Sequence, residues 1–318
     1  FAACRLDMGT AQIQCLGGNG NGRASPWPSE PGTVFFGMVG TGPSGSPPDA
    51  DYHQGYQDDR SGSTSDPVTT ATGNFFHSET DLSIAARAIP LVFLRHYNSK
   101  NSRSGPLGLG WTHSYNIALI EEPNLVSVKW GDGRTDYWNP DGLGGYEPNT
   151  VGLYDALKKD GSNWVVTRKN LDKYVFNAGG LLTSITDKNG NALTVSYSDA
   201  AHPNRVTTVS DAAGRSIALS YYADGLLARV ADFAVPPRTV EFIYTGGYLT
   251  LVKDVDDKLI RYGYDPSGYL ATITDQRDVT TVTNTYDDQG RVIEQLDGNG
   301  NRTTFAYDTP GLNQTTII

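Results

Sequence analysis

The heptapeptides YDPSGYL at residues 264–270 and YDDQGRV at residues 286–292 share the pattern Tyr-Asp-x-x-Gly-x-aliphatic. A third Tyr-Asp pair begins at Tyr307, and an aromatic residue recurs through the preceding chain at steps of 21, 25, 22, 20, 22 and 21 residues. The seven aromatic positions are Phe176, Tyr197, Tyr222, Tyr244, Tyr264, Tyr286 and Tyr307. A nearly fixed period of this length indicates an internal structural repeat.

A second pattern, aliphatic-x-x-aliphatic-x-Asp, runs in step with the aromatic residues. Its six copies end at Asp187, Asp211, Asp232, Asp254, Asp275 and Asp297. The last copy departs from the pattern, because Gln295 stands where an aliphatic residue is expected. The pattern makes one face of each unit apolar, so each unit needs its neighbour to bury that face.

Each period has room for two strands of about six residues and two tight turns. One turn contains the Gly of the Tyr-Asp-x-x-Gly pattern. The other follows the recurrent Asp, as at Asn189-Gly190, a pair that favours the type I′ hairpin. We therefore predict an all-β fold in which an antiparallel sheet runs on from about residue 170.

The composition agrees with this fold and excludes some functions. The 36 Gly, 17 Pro and 18 Tyr, against 2 Met, favour turns and strands over helices. A net charge of -10 provides no basic surface for nucleic acid or an anionic membrane. The most apolar stretch, residues 84–94, contains Arg87 and Pro90 and is far shorter than a membrane-spanning helix. We expect neither nucleic-acid binding nor membrane insertion.

Residues 1–65 form a separate, Gly- and Pro-rich segment that cannot build a core of its own. We predict an extended arm with one short strand at residues 34–36, VFF. Cys4 and Cys15, both cysteines of the sequence, could close a single disulfide in an oxidising compartment. Two unpaired thiols are the alternative.

Three further stretches, together with Asp81, carry a family resemblance: residues 66–75 (DPVTTATGNF), 95–99 (RHYNS) and 105–116 (GPLGLGWTHSYN). With the Tyr-Asp repeats they resemble the Rhs, or YD-repeat, family of bacterial polymorphic toxins, to which animal teneurins are related. The resemblance covers residues 66–318 and implies a spiralling β-sheet. In the bacterial toxins such a sheet closes into a hollow shell around a C-terminal toxin domain.

The resemblance also implies a division of the chain into three parts. These are the arm at 1–65, a pre-repeat β domain at 66–169 and an array of six to seven repeats at 170–318. We find neither the family's shell-closing signature nor a toxin domain in these residues. We therefore expect the opening part of a larger shell, or a shorter relative that uses the same sheet differently.

The sequence contains no recognisable catalytic motif: no Gly-x-Ser-x-Gly, no His-Glu-x-x-His and no phosphate-binding Gly loop. The strongest single candidate is His113, between Trp111 and Tyr115. Because its motif matches a structural module, we interpret His113 as a packing or hydrogen-bonding residue. We predict no enzyme activity, no catalytic residue and no cofactor.

Two weaker binding possibilities remain. Residues 187–191 (DKNGN) and 297–301 (DGNGN) alternate oxygen-bearing side chains like the start of a calcium loop. However, Arg302 follows the second stretch and both coincide with a repeat turn, so we interpret them as turns and predict no metal site. The recurrent aromatic residues could stack on sugars, although stacking on each other is the simpler interpretation.

Our leading interpretation is a secreted or cell-surface β-scaffold without enzyme activity, part of an Rhs-type shell that encapsulates or displays an effector. Its partners would be the remainder of a longer chain or other copies of itself. The alternative is an adhesin or a self-assembling fibre subunit, whose arm adds a strand to a neighbouring copy. A glycan-binding module is the weaker third possibility.

Overall fold

The structure is a computed structural model, and it describes residues 67–86, 88–101, 104–149, 152–309, 311 and 314–318, together with the backbone of 3–7, 12–16 and 34–37. The described residues form β-strands and turns and contain no helix. The predicted all-β fold is confirmed. Within these residues there is accordingly no helix that could cross a bilayer.

The first nine strands belong to the arm and to a small module that follows it. The arm contributes β1 (Ala3–Asp7), β2 (Gln12–Leu16) and β3 (Val34–Gly37). The module contributes β4 (Val68–Thr69), β5 (Asn74–Ile84), β6 (Leu91–Asn98), β7 (Ser104–Gly105), β8 (Gly108–Leu109) and β9 (Trp111–His113). We call the described residues of 67–116 the hub.

The remaining twenty strands follow one another along the chain. The first ten are β10 (Ala118–Glu122), β11 (Leu125–Lys129), β12 (Thr135–Pro140), β13 (Tyr146–Pro148), β14 (Ala156–Asp160), β15 (Asn163–Thr167), β16 (Lys173–Phe176), β17 (Leu182–Thr186), β18 (Ala192–Ser196) and β19 (Thr208–Asp211). The others are β20 (Ser216–Tyr221), β21 (Leu227–Asp232), β22 (Thr239–Thr245), β23 (Tyr248–Lys253), β24 (Leu259–Tyr264), β25 (Leu270–Thr274), β26 (Thr280–Tyr286), β27 (Val292–Asp297), β28 (Arg302–Tyr307) and β29 (Gln314–Ile317).

These strands pair in chain order into one antiparallel sheet from β10 to β29, and β3 of the arm pairs with β29 as the twenty-first strand. The sheet crosses the predicted boundary at residues 169 and 170 without a break, because β15 pairs with β16. Strand pairing alone does not test the predicted division into an arm, a pre-repeat domain and a repeat array, so this division stays a prediction. The hub is a separate four-stranded sheet in the order β4-β5-β6-β9, with a two-stranded ribbon of β7 and β8.

In the arm, β1 and β2 pair antiparallel with Cys4 opposite Cys15. The side chains of these residues are not among those described, so the predicted disulfide lies outside the described part of the structure.

The turn that follows Asp187 differs from the predicted type I′ turn. Asp187 N–H donates to Asn191 C=O and Gly190 N–H donates to Asp187 C=O, at 2.9 and 3.0 Å. Gly190 has a φ of 87°, whereas Asn189 is not among the positive-φ residues, and a type I′ turn needs positive φ at both central residues. The loop is instead a three-residue type I turn closed by a left-handed residue. The prediction was wrong because it rested on Asn-Gly alone rather than on the Asp-x-x-Gly pattern around it.

The row of recurrent aromatic residues is present, with one correction. Tyr221, and not Tyr222, occupies the row, because Tyr221 Oη donates to Val206 C=O as the other tyrosines of the row do in their own repeats. Tyr222 lies one position further on and is 44% exposed. Six tyrosines thus bond to the carbonyl of the first aliphatic residue in the unit before. The pairs are Tyr197–Leu182, Tyr221–Val206, Tyr244–Leu227, Tyr264–Leu249, Tyr286–Leu270 and Tyr307–Val292.

The apolar face of the sheet turns towards the hub. The first aliphatic residue of each copy is almost completely buried and belongs to one core with hub residues such as Phe75, Phe93 and Trp111. Leu227 in β21 and Thr315 in β29 both hydrogen-bond to the hub, although eight strand spacings would separate them by about 38 Å in a flat sheet. A module of about 50 residues has a radius of gyration of about 10 Å. The sheet must therefore bend around the hub.

Candidate functional site: the interface between the hub and the repeat sheet

Five repeats contain a β-bulge at the recurrent aromatic residue. At β24 and β25, Tyr264 pairs with Leu270 and Gly263 pairs with Thr272, so Ala271, the residue after Leu270, has no partner. The same shift occurs immediately before Phe176, Tyr221, Tyr244 and Tyr286. A bulge interrupts the regular hydrogen-bond ladder, and a buried N–H beside it must find an acceptor elsewhere.

The hub supplies that acceptor in three repeats. Leu227 N–H donates to Pro106 C=O at 2.7 Å, and Val292 N–H donates to Gly73 C=O at 2.9 Å. Leu270 N–H donates to the phenol oxygen of Tyr97 at 3.0 Å. Each donor lies two residues after a turn Gly, so all three occupy the same position of the repeat. The hub therefore binds the sheet through one recurring backbone atom.

Two hub glycines allow this close approach. A Cβ atom on Gly73 would lie 2.8 Å from Arg291 Cα, and one on Gly108 would lie 2.6 Å from Gly247 O. Both glycines also have positive φ, 67° and 87°, a conformation that disfavours other residues. A side chain at either position would push the hub away from the sheet backbone.

A buried ion pair lies at the centre of the interface. The Nη1 atom of Arg95 in β6 donates to Asp81 Oδ1 at 2.5 Å, and both side chains are at most 2% exposed. Arg95 Nη2 donates to the phenol oxygen of Tyr262 in β24 at 2.7 Å. The guanidinium also lies over the rings of Trp111 and Tyr262, 5.8 and 5.4 Å from their centroids. One hub side chain thus joins β5, β6, β9 and the repeat sheet.

Burial perturbs the ionisation of the groups in this interface. It raises the pKa of Asp81 above its ordinary value, and the adjacent Arg95 opposes the rise. Burial lowers the pKa of His77 and of His113 to about 3, with positive charge on Arg95 and Arg205 respectively adding to the effect. Both histidines are therefore neutral at pH 7.

His113 occupies a packing position. It is 1% exposed, its ring stacks on Phe93 at 5.0 Å between centroids, and its Nδ1 atom accepts from Tyr115 N–H at 3.3 Å. These contacts are those of the packing or hydrogen-bonding histidine that the sequence predicts. Sequence reasoning placed Asp81 and Arg95 among the residues that carry the family resemblance but gave them no role, and it missed Tyr262.

The calcium-like stretches use their oxygens in turns. Asp187 Oδ1 accepts from the N–H groups of Asn189 and Asn191, at 2.8 and 2.9 Å. The side chain of Asn191 donates to Asp187 Oδ2, and this bond contributes most to holding the pKa of Asp187 below its ordinary value. Asp297 makes the same bonds with Asn299 and Asn301. Among the described residues, no three His, Cys, Asp or Glu side chains gather as a metal ion would require.

Three tyrosines of the aromatic row stack on side chains that lie outside the row. Tyr248 packs on Tyr264 with ring centroids 4.8 Å apart, and Tyr269 packs on Tyr286 at 4.9 Å. In the next unit, the guanidinium of Arg291 lies 4.6 Å from the centroid of Tyr307. In these three repeats, the residue after the turn Gly covers the row tyrosine of the following repeat. The row tyrosines thus stack on neighbours outside the row rather than on each other.

A shallow groove of about 560 Å³ lies beside the tip of the β5–β6 hairpin and is lined mainly by alanines, such as Ala85 and Ala212. Its charged residues already have partners, because Arg215 binds Asp211 and donates to Ala85 C=O. The groove thus presents little chemistry beyond apolar surface.

Two family models match the chain. DUF6531, a domain of unknown function, matches residues 65–138, which include the hub. The RHS Repeat matches residues 176–216 and 286–309, in the first and last parts of the array.

Several curated proteins and solved structures that are similar to this chain are much longer than it is. The tRNA nuclease WapA of Bacillus subtilis (strain 168) is 31% identical over 130 residues, 41% of this chain and 6% of that protein. The tRNA3(Ser)-specific nuclease WapA of Bacillus spizizenii is 30% identical over the same length, with the same two shares. The chain thus spans 6% of the length of the curated relatives it matches.

Among solved structures, the Photorhabdus luminescens Tc holotoxin pore is 11% identical, with a TM-score of 0.30, over 62% of this chain and 15% of that one. The TcdB2-TccC3 crystal structure is 12% identical, with a TM-score of 0.27, over 74% and 19%. RHS repeats are matched at both ends of the array, and the sheet is built from Tyr-Asp repeat hairpins, so the resemblance of this chain to the Rhs, or YD-repeat, family is confirmed.

Proposed function

We propose that this chain is a non-enzymatic wall segment of a larger Rhs-type shell that encloses an effector domain of the same protein. The observation that carries the proposal is the uninterrupted sheet from β10 to β29, bent around the hub. A sheet of similar units can be lengthened by adding repeats, and bending lets the lengthened sheet close. The small share of each curated relative that the chain covers agrees with a part of a longer wall.

The nuclease activity named for the relatives belongs, in this proposal, to other parts of those proteins. The two identities extend over 6% of each relative, and the net charge of -10 in this chain repels a phosphate backbone. We further propose that the protein acts outside the cytoplasm, either secreted or on the cell surface, where a Cys4–Cys15 disulfide could form.

Limited proteolysis of the native full-length protein tests encapsulation. We expect mass spectrometry to show early cleavage in the Gly/Pro-rich arm, while a domain C-terminal to residue 318 stays intact until the shell is denatured. Cleavage of that domain at the same rate in native and denatured protein would contradict the proposal. So would a native chain that carries no further domain.

A second candidate, a self-assembling surface or fibre subunit, is favoured by the pairing of β3 with β29. The register joins Gln314 to Gly37 and Ile317 to Val34, so the arm can complete a sheet edge. The same strand could pair with β29 of another copy. Deleting residues 1–65 should then abolish assembly in light scattering, and unchanged assembly would remove this candidate.

The weaker candidate function is glycan binding. A glycan array that shows no binding to any sugar would remove it.

A further inference from the structure

The hub could in principle bind the repeat sheet in more than one register. Its three bulge contacts use backbone N–H groups at one position of the repeat, and the repeat of Leu249 has a bulge at the same position. A shift of the sheet by one whole repeat would offer the hub a similar row of donors. Something else must select the repeat that docks at each position.

The contact between Arg95 and Tyr262 differs from the bulge contacts in this respect. Tyr262 lies two residues before the row tyrosine Tyr264. The corresponding residue is Phe242 in the preceding repeat and Asn284 in the following one. Phe242 carries no hydroxyl group, and the amide of Asn284 already binds Gln295, which faces it across the strand pair.

A mismatch at this point would be costly. Arg95 is completely buried, its Nε atom has no hydrogen-bond partner, and its Nη2 atom relies on the Tyr262 hydroxyl. In a register shifted towards the N-terminus, the guanidinium would face the ring of Phe242 and lose this bond. A buried charged group that loses a hydrogen bond is destabilised far more than an exposed one.

We propose that Arg95, held by Asp81, and Tyr262 form a register key by which the hub selects one repeat of the array. The bulge amides provide the attachment, and the phenol of Tyr262 determines which repeat is attached. Buried polar groups are known to specify register in other repetitive structures. Arg95 and Tyr262 are positioning residues in this role.

Amide hydrogen exchange of the full chain provides the first test. In Tyr262→Phe, we expect the amides of Leu227, Leu270 and Val292 to exchange about tenfold faster as a group, because the hub is held less firmly at all three bulges. The control is Tyr244→Phe, which removes a row hydroxyl that binds only within the sheet, to Leu227 C=O. Unchanged exchange at Leu270 and Val292 in Tyr262→Phe would overturn the proposal.

A hydroxyl swap tests register directly. Lys100 Nζ donates to Gln289 C=O at 2.7 Å, and Ser267 is the equivalent residue of the preceding repeat. With Gln289→Glu and Ser267→Glu present, a carbodiimide cross-link from Lys100 to residue 289 reports the native register, and one to residue 267 reports a shift by one repeat. In the variant that carries only Gln289→Glu and Ser267→Glu, we expect the cross-link to residue 289 and none to residue 267.

Adding Phe242→Tyr and Tyr262→Phe moves the hydroxyl back by one repeat. After refolding, we expect a Lys100 cross-link to residue 267 in this variant. A swap variant that gives only the cross-link to residue 289 overturns the proposal, whatever its stability. If the swap variant does not refold, Tyr262→Phe in the cross-linking background, compared with Tyr244→Phe, decides the question through the exchange measurement above.

Discussion

Removing single hydroxyl groups from the tyrosine row should destabilise the protein by an amount that adds from repeat to repeat. Tyr244 Oη donates to Leu227 C=O at 2.8 Å, and Tyr197 Oη donates to Leu182 C=O at 3.0 Å. Both side chains are partly buried and pack against the core, and the change to Phe keeps this packing. Each substitution should therefore cost about 1 kcal/mol, the usual net contribution of a neutral hydrogen bond.

The double variant makes the prediction sharper. Tyr197 and Tyr244 lie four strands apart, or about 19 Å across the sheet, which is far enough for their effects to be independent. Tyr197→Phe with Tyr244→Phe should cost about 2 kcal/mol and lower the ratio of folded to unfolded protein about thirtyfold. Urea unfolding followed by tryptophan fluorescence measures the shift in midpoint, with the slope unchanged.

Tyr154→Phe is the matched control, because Tyr154 is 75% exposed and lies outside the row. Its substitution should change the free energy of unfolding by less than about 0.5 kcal/mol. The reasoning fails if Tyr244→Phe costs no more than Tyr154→Phe. It also fails if the double variant is no less stable than either single one.

Three further predictions concern pH and the polar exception in the array. Burial raises the pKa of the row tyrosines. Above about pH 10 the unfolded chain therefore loses protons that the folded chain keeps, and the free energy of unfolding should fall with rising pH. Ultraviolet absorbance titration measures tyrosine ionisation, and tyrosines that ionise at pH 10 without unfolding would contradict the prediction. The pKa of His113 lies at about 3 in the folded protein against an ordinary value of 6.5, so stability should fall as pH drops from 6.5 towards 3, by up to about 1.4 kcal/mol per pH unit, and His113→Gln should remove one proton from this dependence in urea unfolding. Gln295→Val should cost about 1–3 kcal/mol by leaving Asn284 Oδ1 without its donor at 2.8 Å, whereas Gln295→Val with Asn284→Leu should recover most of the loss in the same assay; a double variant as unstable as the single one would refute this.

The sequence predicts most of the sheet because its repeating features are local. The aliphatic pattern alternates on a strand, and the Asp-x-x-Gly pattern closes a turn through bonds that span four residues. Sequence reasoning placed Tyr222 instead of Tyr221 in the aromatic row, although the sequence contains a feature that identifies the correct residue. Gly225 follows Tyr221 by four residues, as Gly268 follows Tyr264, so the distance to the turn Gly identifies the row residue and the period alone does not.

The interface with the hub could not be predicted in the same way. Leu270 and Tyr97 are 173 residues apart, and Arg95 and Tyr262 are 167 apart. No short-range pattern relates such pairs. The family resemblance marks the hub residues as a module but does not say which repeat each of them meets. The bulge amides carry no sequence signal either, because the donor is a backbone group.

The N–H groups at the recurring bulge need hydrogen-bond acceptors that the repeat array itself does not supply. A row tyrosine is satisfied by the carbonyl of the preceding unit, so that bond can be repeated without limit along the sheet. The bulge N–H is different, because in the repeats that meet the hub its acceptor comes from residues 73, 97 and 106. A hub of fixed size can reach only a limited number of repeats. In a longer array, the later bulge amides must donate to water or to another segment on the concave side, since a buried N–H without an acceptor costs about 1–3 kcal/mol. The wall of a larger shell would then present a row of hydrogen-bond donors to whatever lies inside it.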